Sequence, residues 1–148
     1  MNDDINFLSK DITRSMGLLE KLKKQFMEEK LKKYKIKGSM FHIILFLHRN
    51  PGVSQEELAE FMGIDKSGIA RKCRRLEDLG FIFREQSEEN RRQYQLYLTD
   101  QGKAVLPIIK ESLSVWSDDV MVGISGEERK ELIRLLETML DNAMKKYN

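Results

Sequence analysis

Cysteine is nearly missing from this 148-residue chain, proline is scarce, and long apolar runs do not occur. Each absence excludes a class of protein. One cysteine, Cys73, cannot form an internal disulfide, so core packing must hold the fold, as suits a reducing compartment. Two prolines, Pro51 and Pro107, in a chain rich in Leu, Lys, Glu and Met leave helix as the dominant expectation. No run approaches the roughly 18 apolar residues that span a bilayer. The opening Met1-Asn2-Asp3-Asp4 lacks the basic start and apolar stretch of a secretory signal. Both features point to a cytoplasmic protein without a membrane partner.

Histidine is almost as rare. His42 and His48 fall six residues apart on one expected helix, face different directions, and cannot close a metal site with a single inward thiol. There is no Gly-x-Ser-x-Gly elbow, no phosphate-cradling glycine loop and no paired-histidine zinc motif. Neither an enzyme nor a cofactor-dependent protein is expected.

What remains is a charged, helix-rich chain with material for one core: 41% of residues are hydrophobic and 34% charged. Its length suits one domain, residues 1–148. Apolar positions Ile5, Leu8, Ile12, Leu19, Leu22 and Phe26 mark one face of a long helix over residues 4–33. A stripe that long suggests packing against a second chain as well as its own. Gly38 ends the pattern. The segment Met40 to Leu47 is apolar nearly all round and is expected at the centre. Asn50-Pro51-Gly52 then turns the chain.

Ser54-Gln55-Glu56-Glu57 is a capping box opening a short helix, Gly63 ends it, and Asp65 can cap the next helix through about Leu79. Ala59 lets two helices approach closely, Gly63 fits a sharp turn, and Ile64 and Ile69 can fill the angle between them. Residues 54–79 therefore read as a helix-turn-helix. The rhythm next becomes alternating. Phe81 to Glu85 and Tyr94 to Leu98 form two strands, the second with Tyr94, Leu96 and Leu98 inward, around a polar tip. This hairpin, residues 81–99, is a wing. Thr99 caps a further helix containing Pro107, which should kink it. Ser125-Gly126-Glu127-Glu128 opens the last helix, so residues 100–147 are helical. The fold class is mainly α with a small β-hairpin wing: a winged helix-turn-helix flanked by N- and C-terminal dimerisation helices.

Net charge is only +2, yet Lys66 to Arg75 carries five basic residues and no acidic one. On the helix after the turn, Ile69, Cys73 and Leu76 face the core. Lys66, Ser67, Gly68, Arg71, Arg74 and Arg75 are expected on the outer side, small at the start and basic beyond it. Small residues permit approach to base edges, and arginines reach guanine or phosphate. A solvated face would interleave glutamates, and this one does not. Asn90, Arg91 and Arg92 at the wing tip suit the narrow minor groove. Lys37 and Ser39, at the start of the second helix, are candidates for backbone phosphate. The competing reading, a winged helix used for protein contact without specific DNA binding, would put an apolar face where these arginines stand.

Arg92, Leu98, Thr99 and Gly102 match at the right spacings a wing signature of Asp-x-Arg, a strand, then Leu-Thr-x-x-Gly. Leu58-Ala59, Gly63-Ile64, Ser67, Arg71, Leu76-Glu77 and Gly80-Phe81-Ile82 fit upstream. On these residues the whole chain resembles the MarR (multiple antibiotic resistance regulator) family. It departs at Asn90, where the family usually has an aspartate that orients arginines. The resemblance implies a homodimer joined through the first, fifth and sixth helices, reading double-stranded DNA at a pseudo-palindromic operator. It also implies a repressor released by a small aromatic effector. By that analogy the effector pocket would draw on Phe41, Ile44, Leu45 and Trp116, although core packing explains most of these residues equally well. Some relatives sense oxidants through a cysteine in the first helix, and this chain has none there.

Overall fold

The computed structural model describes residues 2–91 and 93–147, with side chains from residue 11 onward. The described residues form α1 (Asn2–Lys30), a 3-10 turn (Lys32–Tyr34), α2 (Met40–Arg49), β1 (Val53–Ser54), α3 (Gln55–Met62), α4 (Lys66–Asp78), β2 (Ile82–Gln86), β3 (Tyr94–Leu98), α5 (Asp100–Val120) and α6 (Gly126–Tyr147). They group into two compact units, one reaching Leu113 and the other starting at Ser114.

In the first unit the core is the meeting point of every element. Met27, Phe41, Ile43, Ile44, Leu47, Leu58, Ile69, Leu76, Phe81, Ile82, Leu96 and Ile109 are all buried there. Among the described side chains of α1, those at its C-terminal end reach this core, through Met27, followed by Leu31, while Ile5 and Leu8 lie outside the described side chains. The stripe legible in the sequence behaves differently: Ile12, Leu19 and Leu22 are each about half exposed. A long helix beside a small core has more apolar surface than that core can cover. Likewise α2 is not buried all round. Leu45 and Phe46 are half-buried and look onto a groove.

The sheet has a strand that the alternation did not reveal. β1 is two residues long, too short to show a period, and pairs antiparallel with β3 (Val53 with Leu96, Ser54 with Gln95). β3 lies centrally between β1 and β2, with Ile82 opposite Leu98 and Gln86 opposite Tyr94. Ser54 ends β1 and caps α3: its Oγ accepts from the Glu57 amide at 3.2 Å while the Glu57 carboxylate accepts from the Ser54 amide at 2.7 Å.

The end of the wing is tied to the turn after α4. Thr99 donates its hydroxyl to the Gly80 carbonyl at 2.5 Å and accepts from the Gly102 amide at 3.0 Å, capping α5. The Thr99 amide donates to the Phe81 carbonyl at 3.0 Å. Gly102 then passes so close that a Cβ there would lie 2.1 Å from the Phe81 oxygen. The Leu-Thr-x-x-Gly sequence is thus a packing requirement: threonine to bridge two segments, glycine because no side chain fits. Pro107 sits inside α5 without ending it.

α6 has no buried residue. Ile133, Leu136, Met139, Leu140 and Met144 line it, all well exposed. Among the described residues no helix is long and apolar enough to cross a membrane.

Candidate nucleic-acid interface

α3 and α4 meet through a turn that the sequence dictates closely. Gly63 adopts φ 60°, a left-handed conformation that glycine enters without steric cost, and its amide closes α3. Leu58 and Ile69 are fully buried on the inner side, and Ile64 packs against them. Asp65 caps α4. Its carboxylate accepts from the Ser67 hydroxyl and, at 2.9 Å, from the Gly68 amide. Those two bonds, in that order, hold the Asp65 carboxyl below its ordinary range.

This cap revises the expected outer face. Gly68 is buried rather than facing outward, and a Cβ on it would come within 2.8 Å of Asp65 Oδ1 and 2.9 Å of Ile64 Cγ2. Its role is to let the cap and the turn close, so it leaves the candidate contact set. Ser67 stays exposed, with its hydroxyl turned to Asp65. Lys66, Arg71, Arg74 and Arg75 are exposed as expected, and among the described residues none of them forms an ion pair. The inner side holds Ile69, Cys73 and Leu76, all fully buried. α4 is therefore a helix with a closed apolar side and an open cationic one.

The wing stands beside it. Arg84 on β2 bonds Glu77 on α4, Nε to Oε2, at 3.0 Å, which ties the strand to the helix. The tip is ordered by its own backbone. Ser87 and Asn90 bracket a turn in which the Gln93 amide donates to the Asn90 carbonyl at 2.8 Å and the Ser87 amide to the Gln93 carbonyl at 2.9 Å. The Ser87 hydroxyl accepts from the Asn90 amide, so the buried Ser87 organises the tip. Asn90 and Arg91 are exposed there. Arg92 lies outside the described residues. Tyr94, expected inward with Leu96 and Leu98, is instead 48% exposed at the flank of α4, because the core ends before the strand does.

Lys37 is exposed ahead of α2, and Ser39 is the N-cap of that helix with no side-chain hydrogen bond to it. The expected effector pocket is corrected. Phe41 and Ile44 are core residues with about 1% exposure or less, and Trp116 belongs to the second unit. Leu45, of the four candidates, borders a cleft. That cleft, about 590 Å³, lies between α1, α2 and α3 and includes Lys24, His42, Phe46, Arg49 and Phe61. Phe46 and Phe61 stack with centroids 4.0 Å apart. Burial, followed by the charge of Lys23, lowers the His42 pKa below 6.5 against the opposing pull of Glu20. The sequence carried no periodic signal for this cleft, since its residues come from three separate helices.

Comparison with known proteins places this geometry. The sequence model described as MarR family matches residues 34–93. The HTH-type transcriptional regulator BilQ of Clostridioides difficile (strain CD3) is 31% identical over 83% of this chain and 83% of its own length. BilQ of Clostridium symbiosum (strain WAL-14163) is 30% identical over 77% of this chain and 79% of its own. The crystal structure of a MarR transcriptional regulator from Methanosarcina mazei Go1 superposes with a TM-score of 0.87 at 30% identity, covering 92% of this chain and 98% of that one. The chain belongs to the MarR family.

This MarR-family transcriptional regulator holds its one thiol in the core. Cys73 is fully buried on the inner side of α4, and burial pushes its pKa up to about 11 from 9.0. A thiol reagent at pH 8 should leave the folded protein unmodified and label it only once denatured. The linkage has a definite sign. Between pH 9 and 11 the unfolded thiol loses its proton first, so stability is expected to fall across that window. Cys73→Val should flatten the fall. Equal alkaline loss in both proteins, measured by urea unfolding, would contradict it.

Proposed function

We propose that the protein is a homodimeric, sequence-specific repressor whose two α4 helices enter successive major grooves of a pseudo-palindromic operator. The observation that carries this reading is the exposed row of Arg71, Arg74 and Arg75, free of ion pairs among the described residues, on a helix whose other side is sealed in the core. A solvated surface of that charge density would ordinarily be neutralised by neighbouring carboxylates. Arg71 and Arg75 reach base edges, Arg74 and Lys66 the backbone, and Arg91 and Arg92 the minor groove beside it. Lys37 and Ser39 add a backbone contact from α2.

Dimerisation is supported by the two apolar faces that the chain leaves uncovered, Ile12, Met16, Leu19 and Leu22 on α1 and Leu136, Leu140 and Met144 on α6. A second copy of the chain would cover such faces, and a two-fold dimer reads half-sites about one helical turn, about 10 base pairs, apart. A Leu19→Asp, Leu22→Asp variant should sediment as a monomer and lose operator binding. A variant that remains dimeric would remove α1 from the interface. A small aromatic effector fits the aromatic, cation-rimmed cleft around His42 and would act by changing the separation of the two heads.

The direct test is selection of bound duplexes from a random-sequence pool, followed by affinity measurements at several salt concentrations. A palindrome with half-sites about 10 base pairs apart is expected, with log affinity falling by about 0.9 per phosphate neutralised for each unit of log salt. Recovery of no consensus would favour the protein-contact reading.

A further inference from the structure

Between α4 and the base of the wing lies a cleft of about 550 Å³ lined by Ala70, Arg71, Arg74, Glu77, Arg84 and Tyr94. Its charge is one-sided. Three guanidinium groups share one carboxylate, and that carboxylate is already paired, since Glu77 Oε2 lies 3.0 Å from Arg84 Nε. Arg71 and Arg74 have no ion pair among the described residues. Tyr94 forms the strand-side wall. It alternates in phase with the buried Leu96 and Leu98, yet it is 48% exposed, and its hydroxyl has no hydrogen-bond partner among the described residues. An open phenol beside two unpaired guanidinium groups is a set of donors without an acceptor.

The N-terminus of α4 cannot serve as the anion site. Asp65 already places a carboxylate there, bonded to Ser67 and to the Gly68 amide. With the Gly68 amide already taken by Asp65, the amides at that end are not the anion site and Lys66 reaches phosphate by its side chain alone, whereas the cleft opens at the cationic C-terminal half.

We propose that this cleft holds a backbone phosphate of the bound duplex, with Tyr94 Oη and the Arg74 guanidinium as its donors. Arg71, on the same side of α4, extends past it to the base edges. Glu77 and Arg84 are the positioning pair: they tie β2 to α4, and β2 carries Tyr94 on the neighbouring β3 through their pairing, Gln86 opposite Tyr94. The assignment rests on the reading of α4 as the DNA-facing helix. It adds a residue, Tyr94, that neither the basic run nor the wing tip contains.

The test uses a duplex selected by the wild-type protein, and a series of the same duplex with one methylphosphonate at each position in turn. Tyr94→Phe should weaken binding by roughly 10- to 150-fold per half-site, the loss of one hydrogen bond to a charged group. It removes no charge, so the slope of log affinity against log salt should not change. Arg74→Ala should reduce that slope by about 0.9 per half-site. At one position a methylphosphonate should cost Tyr94→Phe less than it costs the wild type, because the Tyr94 share of the contact is already gone while the Arg74 share remains. If Tyr94→Phe binds every duplex as the wild type does while Arg71→Ala is weakened, the cleft assignment is overturned and the helix assignment stands. If the Tyr94→Phe and methylphosphonate penalties add at every position, Tyr94 does not act on phosphate. If Arg71→Ala is also unaffected, the underlying reading of α4 is what fails.

Discussion

Replacing Gly102 by alanine is expected to destabilise the protein by about 3 kcal/mol, the upper part of the range for forcing atoms into a filled site. A Cβ at this position would lie 2.1 Å from the Phe81 carbonyl oxygen and 3.1 Å from its carbon. The obstacle is backbone, which cannot swing aside like a flexible side chain. Nor can the segments simply separate, because Thr99 ties them from both directions, by its amide to Phe81 and by its hydroxyl to Gly80. Relief must come from shifting α5 away from the α4–β2 turn, and that breaks those two bonds. At about 2–4 °C per kcal/mol for a chain of this size, the thermal midpoint should fall by roughly 6–12 °C. Gly126→Ala is the matched control: nothing lies within 4 Å of its Cβ position, and a change within about 0.5 kcal/mol is expected. If the two variants unfold at the same temperature, the close approach at Gly102 is not a constraint.

The second large effect concerns operator binding. Arg71→Ala should cost about 1–3 kcal/mol per half-site if its guanidinium pairs with guanine O6 and N7. A dimer loses that contact twice, so affinity should fall by roughly 30-fold to 10⁴-fold at fixed salt. The side chain is exposed and engages no ion pair among the described residues, so its removal leaves no buried charge behind. Stability should barely change, and the whole loss should appear in binding. Specificity provides the sharper readout. The penalty should shrink on duplexes with a changed base at one position of each half-site, whereas a phosphate-only contact would weaken all duplexes alike. A uniform loss across sequences would move Arg71 from base reading to the backbone.

The two effects separate what the chain declares locally from what it does not. Capping boxes, the Ala59–Gly63 turn, the inward phase of Cys73 and the basic run on α4 were legible because each depends on neighbours within one or two helical turns. Family membership was legible for the same reason, through short motifs at fixed spacing. Gly68 was misplaced because helical phase alone put it outward. Its burial follows from the Asp65 cap folding over it, a contact that phase does not encode. Phe41 and Ile44 looked equally suited to a pocket or a core, and only the convergence of six elements on α2 made them core.

The sequence by itself determined which segments are helices, where α3, α4, α5 and α6 begin, and which side of α4 is cationic, since those are set by capping chemistry and by a 100° step. Only the tertiary structure decided that Gly102 must be glycine, that Glu77 holds Arg84, and that Tyr94 leaves the core to stand beside Arg71 and Arg74. These depend on distances between segments several to about twenty residues apart. Such distances arise when the segments pack against one another, and no residue pattern along the chain records them.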